Sequence, residues 1–248
     1  MQVKAILFDL FDTLLLVEGG DAFYEPALKK LYTFLSSQGL SVDYAMFRKA
    51  YFEVRDSLYR ETLQNLEEPH FNIRVHKTLE SLGFNHDPSS SVITQGTATF
   101  AEEFMRYVHL DSDAIPLLRE LKKKYKLGIV SNFAIPECLH RLLENFGIKQ
   151  YFDVVIVSAE VNRRKPSPEI FQKALATLNV KPSEAIFVGD TLVTDIEGAQ
   201  NAGIKAILIQ RKSTLLDTPQ NAQTQKQQTK PHKTIQKLAQ LLALLNAL

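Results

Sequence analysis

The stretch AILFDLFDTLLL, Ala5 to Leu16, is an apolar run interrupted by two acids, Asp9 and Asp12. A carboxylate inside a hydrophobic run is costly to bury unless it is paired, ligated or placed at the end of the element. Asp9 therefore marks the carboxyl end of a strand, VKAILFD (Val3–Asp9). Four further runs have the same character: LGIVSN (Leu127–Asn132), FDVVIV (Phe152–Val157), AIFVGD (Ala185–Asp190) and KAILIQ (Lys205–Gln210). All are continuous and rich in β-branched residues rather than alternating, which is the pattern of a parallel sheet covered on both faces. Helical patterns separate the later strands. CLHRLLENFG places Leu139, Leu142, Leu143 and Phe146 on one face, and Gly147 ends it. PEIFQKALATLNV groups Ile170, Phe171, Ala174 and Leu178. Strands alternating with helices define a doubly wound α/β domain.

The segment 17–110 has helical periodicity and no clear strand. Ala27, Leu28, Leu31, Phe34 and Leu35 follow the spacing of one helix face. Further helices are expected over Asp43–Leu66, Phe71–Leu82 and Val92–Val108, with the loop NHDPSSS (Asn85–Ser91) between the last two. The reading is an all-helical module, 17–110, inserted into an α/β core made of 1–16 and 111–248. The Gln-rich stretch Asp217–His232 has little to bury and is expected to be mobile. An amphipathic helix from about Lys233 is expected to close the chain.

Composition excludes several classes. The 248 residues are 45% hydrophobic and 23% charged with net charge +1, so no bulk attraction to nucleic acid or to a membrane surface is implied. The single cysteine, Cys138, rules out an internal disulfide and reads as a core residue of a helix. Asp9 and Asp12 interrupt any signal-peptide core, and LAQLLALLNAL (Leu238–Leu248) is shorter than the ~20 apolar residues a spanning helix needs. A cytoplasmic protein is expected.

Ligands of open parallel sheets bind at the carboxyl ends of the strands. Those ends carry Asp9, Ser131-Asn132 and Gly189-Asp190, with Asp195 following in GDTLVTDIEGAQNAG. Lys165 lies in NRRKPSPEIF after the third strand; Arg163 and Arg164 beside it read as surface charges. Asp190 and Asp195 alone would read as caps of a helix near Leu192. Together with Asp9 and Lys165 they read as chemistry: three carboxylates against one ammonium call for a divalent cation, and oxygen-only ligands suit Mg²⁺. A nucleophilic carboxylate beside a hard cation, a lysine and a hydroxyl suggests phosphoryl transfer.

This ordered set resembles the haloacid dehalogenase (HAD) superfamily, and within it the phosphatase-like members with a helical, C1-type cap. FDLFDTLL, GIVSNF, RRKPSPEIF and FVGDTLVTDIEGAQNAG match its four motifs in order. The resemblance implies Asp9 as nucleophile. It implies a Mg²⁺ site from Asp9, the Phe11 backbone carbonyl, Asp190 and Asp195. Ser131 and Lys165 would bind the phosphoryl oxygens, with Thr13 at the first motif's threonine. Asn132, next to Ser131, reads either as a substrate-binding residue that orients the flap or substrate or as a plain turn residue. The partner implied is a small phosphorylated metabolite.

One position departs from the pattern. The family's phosphatases carry a general acid two residues after the nucleophile, and here that residue is Phe11. Asp12 stands where the family often has Gly, and Thr13 keeps its spacing, so the alignment does not slide. Asp12 reads as a turn-capping residue, because a one-residue shift turns a side chain to the opposite side of an extended segment. Phe11 leaves two alternatives to a phosphatase: a metal-independent 2-haloacid dehalogenase-type hydrolase, and a weakly active or non-catalytic phosphate-binding relative. In the inserted module Arg48, Arg55, Arg60 and Arg74 lie among aromatics; they read mostly as solvated helix faces, one of which could reach a substrate's far end, and the pattern does not say which.

Overall fold

The computed structural model describes residues 2–211 and 229–246. Residues 217–228 of the Gln-rich stretch lie outside the described residues. The chain opens with β1 (Ala5–Phe8) and β2 (Leu15–Val17). Four helices follow, α1 (Tyr24–Ser37), α2 (Tyr44–Asn65), α3 (Phe71–Ser81) and α4 (Ser91–Met105), and then β3 (Val108–Leu110). The remainder alternates: α5 (Ala114–Lys122), β4 (Lys126–Ser131), α6 (Pro136–Asn145), β5 (Val154–Val157), α7 (Ser158–Val161), α8 (Pro168–Leu178), β6 (Ala185–Gly189), α9 (Gly198–Asn201), β7 (Lys205–Ile209), β8 (Lys233–Ile235) and α10 (Gln240–Asn246).

Six strands form one parallel sheet in the order β5-β4-β1-β6-β7-β8. β1 is central and fully buried. Its side chains alternate between two cores: Ile6 and Phe8 pack with Leu117, Leu139 and Leu241, while Ala5 and Leu7 pack with Phe171, Ile196 and Ala199 on the other face. Burial on both faces is why the sequence shows no polar alternation there. Gly128 in β4 faces Leu7 and Val154; a Cβ would come within 2.6 and 2.7 Å of them, so the sheet face is packed to the backbone.

The helical block follows its sequence pattern closely. Asp43 caps α2, accepting from the Met46 amide at 2.7 Å. Ala27, Leu28, Leu31 and Leu35 of α1 are buried. Gly96 of α4 lets α1 approach, since a Cβ there would stand 2.9 Å from Leu31 Cδ1. Two expectations are corrected, and a helix is added. The 17–110 segment is not free of strands: α4 stops at Met105, and β3 pairs antiparallel with β2 as a ribbon between helical block and sheet. α5 was not anticipated. Lys233 does not begin a helix; Lys233–Ile235 adds to the sheet beside β7, and the helix begins at Gln240. Strands of three residues are too short to carry a period.

Candidate active site

The sequence-predicted residues meet at the carboxyl edge of the sheet, because β1, β4 and β6 are adjacent and parallel. Asp9 directly follows β1 and its amide donates to the Val188 carbonyl of β6. Asp190 directly follows β6, and Asp195 lies on a single π-helical turn, Leu192–Glu197. Each of the three offers a carboxylate oxygen within 4.8 Å of the others. Lys165, 2% exposed, enters between them: its ammonium donates to Asp9 Oδ1 and Asp195 Oδ1, both at 2.6 Å. It also lies 5.4 Å from the centre of the Phe187 ring.

Asp195 is held from its other side. Its Oδ2 accepts from the amides of Asp190 (3.1 Å) and Thr191 (3.0 Å). Gly189 makes this possible, because a Cβ there would fall 2.5–2.6 Å from the Asp195 side chain. Thr13 is buried and donates its hydroxyl to Asp9 Oδ2 at 3.2 Å. Asn132 makes a reciprocal pair with the Lys165 backbone: the Lys165 amide donates to Asn132 Oδ1 at 2.8 Å, and Asn132 Nδ2 donates to the Lys165 carbonyl at 3.0 Å. Its carboxamide therefore holds the segment that delivers Lys165. Ser131, last in β4, has a buried hydroxyl with no hydrogen-bond partner among the described residues, a group left available to a ligand.

Electrostatics follow from burial and crowding. Burial pushes the Asp9 carboxyl up to about 6, against the pull of Lys165 and with the repulsion of Asp195. Burial, then Asp195, Asp9 and Asp12, pushes Asp190 up to about 9. Burial acts to lower Lys165, but the attraction of Asp195 and Asp9 outweighs it and its pKa lies above the ordinary value. One ammonium does not balance three acids, so protein groups alone leave Asp190 poorly stabilised as an anion.

The two departures in the first motif have distinct surroundings. Phe11 sits in an aromatic seam, 4.7 Å from Phe133 after β4 and 5.6 Å from Phe104 of α4, ring centre to ring centre. Asp12 adopts a left-handed backbone (φ 56°) and its Oδ1 accepts from the Val17 amide at 3.2 Å. A left-handed position favours Gly, Asn or Asp, which accounts for an acid where the family often has glycine. Sequence reasoning missed Arg211. From just past β7 its guanidinium donates to the carbonyls of Asp12 (3.2 Å) and Thr13 (2.7 Å) and pairs with Asp111 at 2.7 Å. Nothing local in QRKS sets that arginine apart; the contact spans about 200 residues of chain.

The helical block closes over this edge. The Phe71 amide donates to the Ala134 carbonyl at 2.8 Å, and Arg164 pairs with Glu68 at 3.4 Å. Between block and sheet edge lies a cavity of about 210 Å³, walled by Tyr24, Phe71, Arg74 and Phe100 on one side and Asn132 and Phe133 on the other.

A model of the haloacid dehalogenase-like hydrolases matches residues 44–209. The chain belongs to this family. It is 30% identical to the glyceraldehyde 3-phosphate phosphatase of Methanopyrus kandleri over 85% of each chain. It is also 30% identical to the pyrophosphatase PpaX of Bacillus cereus over 84% of each. Among solved structures it resembles a HAD phosphatase from Thermococcus onnurineus (27% identity, TM-score 0.64, 98% of each chain). It shares the fold of a 2-haloacid dehalogenase from Pseudomonas syringae (23%, 0.73, 99%). This HAD-like chain is therefore an enzyme, a hydrolase of the phosphatase-like kind. No helix among its described residues is long and apolar enough to cross a membrane.

Proposed function

We propose that the protein is a Mg²⁺-dependent phosphatase of a small phosphorylated metabolite, working through an aspartyl-phosphate on Asp9. The observation that carries this reading is the convergence of Asp9, Asp190 and Asp195 around the Lys165 ammonium beside the unpartnered Ser131 hydroxyl. The donor set fits a hard cation: the ligands are all oxygen, and three carboxylates face a single positive charge. Asp9, Asp190 and the Phe11 carbonyl would hold it. Asp195, with one oxygen on Lys165 and the other on two amides, would act through water. Bound Mg²⁺ would neutralise charge on the transferring phosphoryl group and align it.

Asp9 would attack phosphorus, forming its acyl-phosphate bond as the ester P–O bond breaks and the leaving oxygen departs with the electron pair. Ser131 and Lys165 would donate to the equatorial oxygens, where preorganised donors contribute most. Water would then attack the phosphorus of the acyl-phosphate, releasing inorganic phosphate and the Asp9 carboxylate. Phe11 cannot donate a proton, and the Asp12 carboxylate accepts from Val17, so solvent would protonate the leaving oxygen. Good leaving groups, whose departure needs little protonation, should be favoured. The segment 17–110 would act as a cap that selects the substrate and excludes water. Relatives named for glyceraldehyde 3-phosphate and pyrophosphate support a small phosphorylated substrate.

The test is hydrolysis of p-nitrophenyl phosphate and a panel of sugar phosphates with Mg²⁺ and with EDTA, against Asp9→Asn. Metal-dependent turnover lost in Asp9→Asn supports the reading; no turnover by the folded protein on any ester overturns it. Phe11, seated in an aromatic seam, favours a second reading, a carbon–halogen hydrolase using Asp9 without metal. Halide release in EDTA would establish that one instead.

A further inference from the structure

Of the four arginines set among aromatics in the helical block, three have ordinary surroundings. Arg48 pairs with Glu25 and Arg55 with Asp56, and Arg60 is exposed. Arg74 of α3 differs. It lines the cavity between block and sheet edge, with its guanidinium 5.1 Å from the Phe71 ring centre. Its Nη1 donates to the hydroxyls of Tyr24 and Tyr51 at 3.2 and 3.3 Å, both neutral acceptors at long range. Its Nε is buried and has no partner among the described residues. No carboxylate among those residues pairs with it. Glu68, the one acid lining the cavity, is engaged by Arg164 at 3.4 Å. The cavity thus holds one uncompensated positive charge in aromatic walls. An unmet guanidinium N–H in such a place is costly unless a ligand satisfies it.

We infer that Arg74 receives a carboxylate on the substrate's leaving group, so that the enzyme takes phosphate monoesters carrying a carboxylate on a compact apolar or aromatic body. The guanidinium fork matches a carboxylate, and a single unit charge matches a monoanion better than a second phosphate. About 210 Å³ exceeds the ~150 Å³ that admits a benzene ring. Asn132 and Phe133, which wall the cavity, directly follow Ser131, so a leaving group in it would extend from a phosphoryl group at the sheet edge. The inference rests on the phosphatase reading for the reaction, and on the cavity alone for the recognition.

The experiment compares 4-carboxyphenyl phosphate with phenyl phosphate. The wild type should favour the carboxylated ester in kcat/KM by about 10- to 100-fold, the range of one charge-assisted hydrogen bond. In Arg74→Gln the ratio should fall to near one, and Arg74→Lys should retain part of it. Circular dichroism confirms that the variants are folded. A wild-type ratio near one, or a preference that survives Arg74→Gln, overturns the inference. If the wild type hydrolyses neither ester, the phosphatase reading falls only when p-nitrophenyl phosphate and the sugar phosphates are not hydrolysed either. Calorimetric binding of both probes to Asp9→Asn, with and without Arg74→Gln, then decides the recognition. Tighter binding of the carboxylated probe that depends on Arg74 supports it, and equal or undetectable binding of the two overturns it.

Discussion

Replacing Lys165 by Met would leave Asp9 and Asp195 buried without their common counter-charge. Both ion pairs are 2.6 Å long, and the side-chain exposures are 2% for Lys165, 10% for Asp9 and 2% for Asp195. Removing one partner of a buried pair costs about 3–5 kcal/mol, because the remaining charge is desolvated and uncompensated. A ceiling per carboxylate comes from protonation. Taking up a proton at pH 7 from an ordinary value of 3.8 costs about 4.4 kcal/mol at 1.36 kcal/mol per pH unit. The expected loss in metal-free protein is therefore about 3–5 kcal/mol. Lys122→Met supplies the control. Its pair with Asp153 is also 2.6 Å long, but the side chains are 34% and 37% exposed, and such pairs contribute about 0–1 kcal/mol. Urea unfolding at pH 7 in EDTA, followed by far-ultraviolet circular dichroism, measures both. Adding MgCl₂ should restore part of the Lys165→Met loss, since a cation held by the folded carboxylates stabilises that state. A Lys165→Met loss below about 1 kcal/mol, or one equal to that of Lys122→Met, would refute the claim that burial rather than distance sets the strength of this cluster.

Other positions give sharp outcomes. Phe11→Asp, which restores an acid at the family's usual position, should raise kcat on alkyl phosphates by about 10²-fold or more and far less on p-nitrophenyl phosphate; equal gains on both would remove general acid catalysis as the missing element. Asp12→Ala should destabilise by about 1–2 kcal/mol, through the left-handed φ and the lost Val17 contact, and Asp12→Gly by less, read by chemical denaturation. Gly189→Ala should displace Asp195 and with it Lys165, lowering kcat/KM at least tenfold while the protein remains folded; unaltered kinetics would show that Asp195 has room to move. Burial pushes the Cys138 thiol up to about 12, so at pH 8 only about one molecule in 10⁴ carries the thiolate. Reaction with Ellman's reagent should therefore be negligible until denaturant is added.

The parallel sheet and the polar residues at its strand ends were readable from the chain because both are local signals. β1, β4, β5, β6 and β7 are each continuous apolar runs, and Asp9, Ser131 and Asp190 stand where such runs end. α2 begins one residue after the Asp43 expected to open it. Short pieces were not readable: β2, β3 and β8 have three residues each, and pairing with a distant neighbour makes them strands.

What each side chain of the site does was decided by tertiary structure. The sequence left Asn132 between a substrate-orienting and a turn role and did not single out Arg211; folding ties Asn132 to the Lys165 backbone and Arg211 to the carbonyls of Asp12 and Thr13. It offered four arginines among aromatics without distinction, and packing left only Arg74 in the cavity without a carboxylate. The physical reason is the same in each case. A strand or a cap is stabilised by groups close in sequence, whereas charge compensation and hydrogen bonding depend on which distant groups the fold brings within about 3 Å.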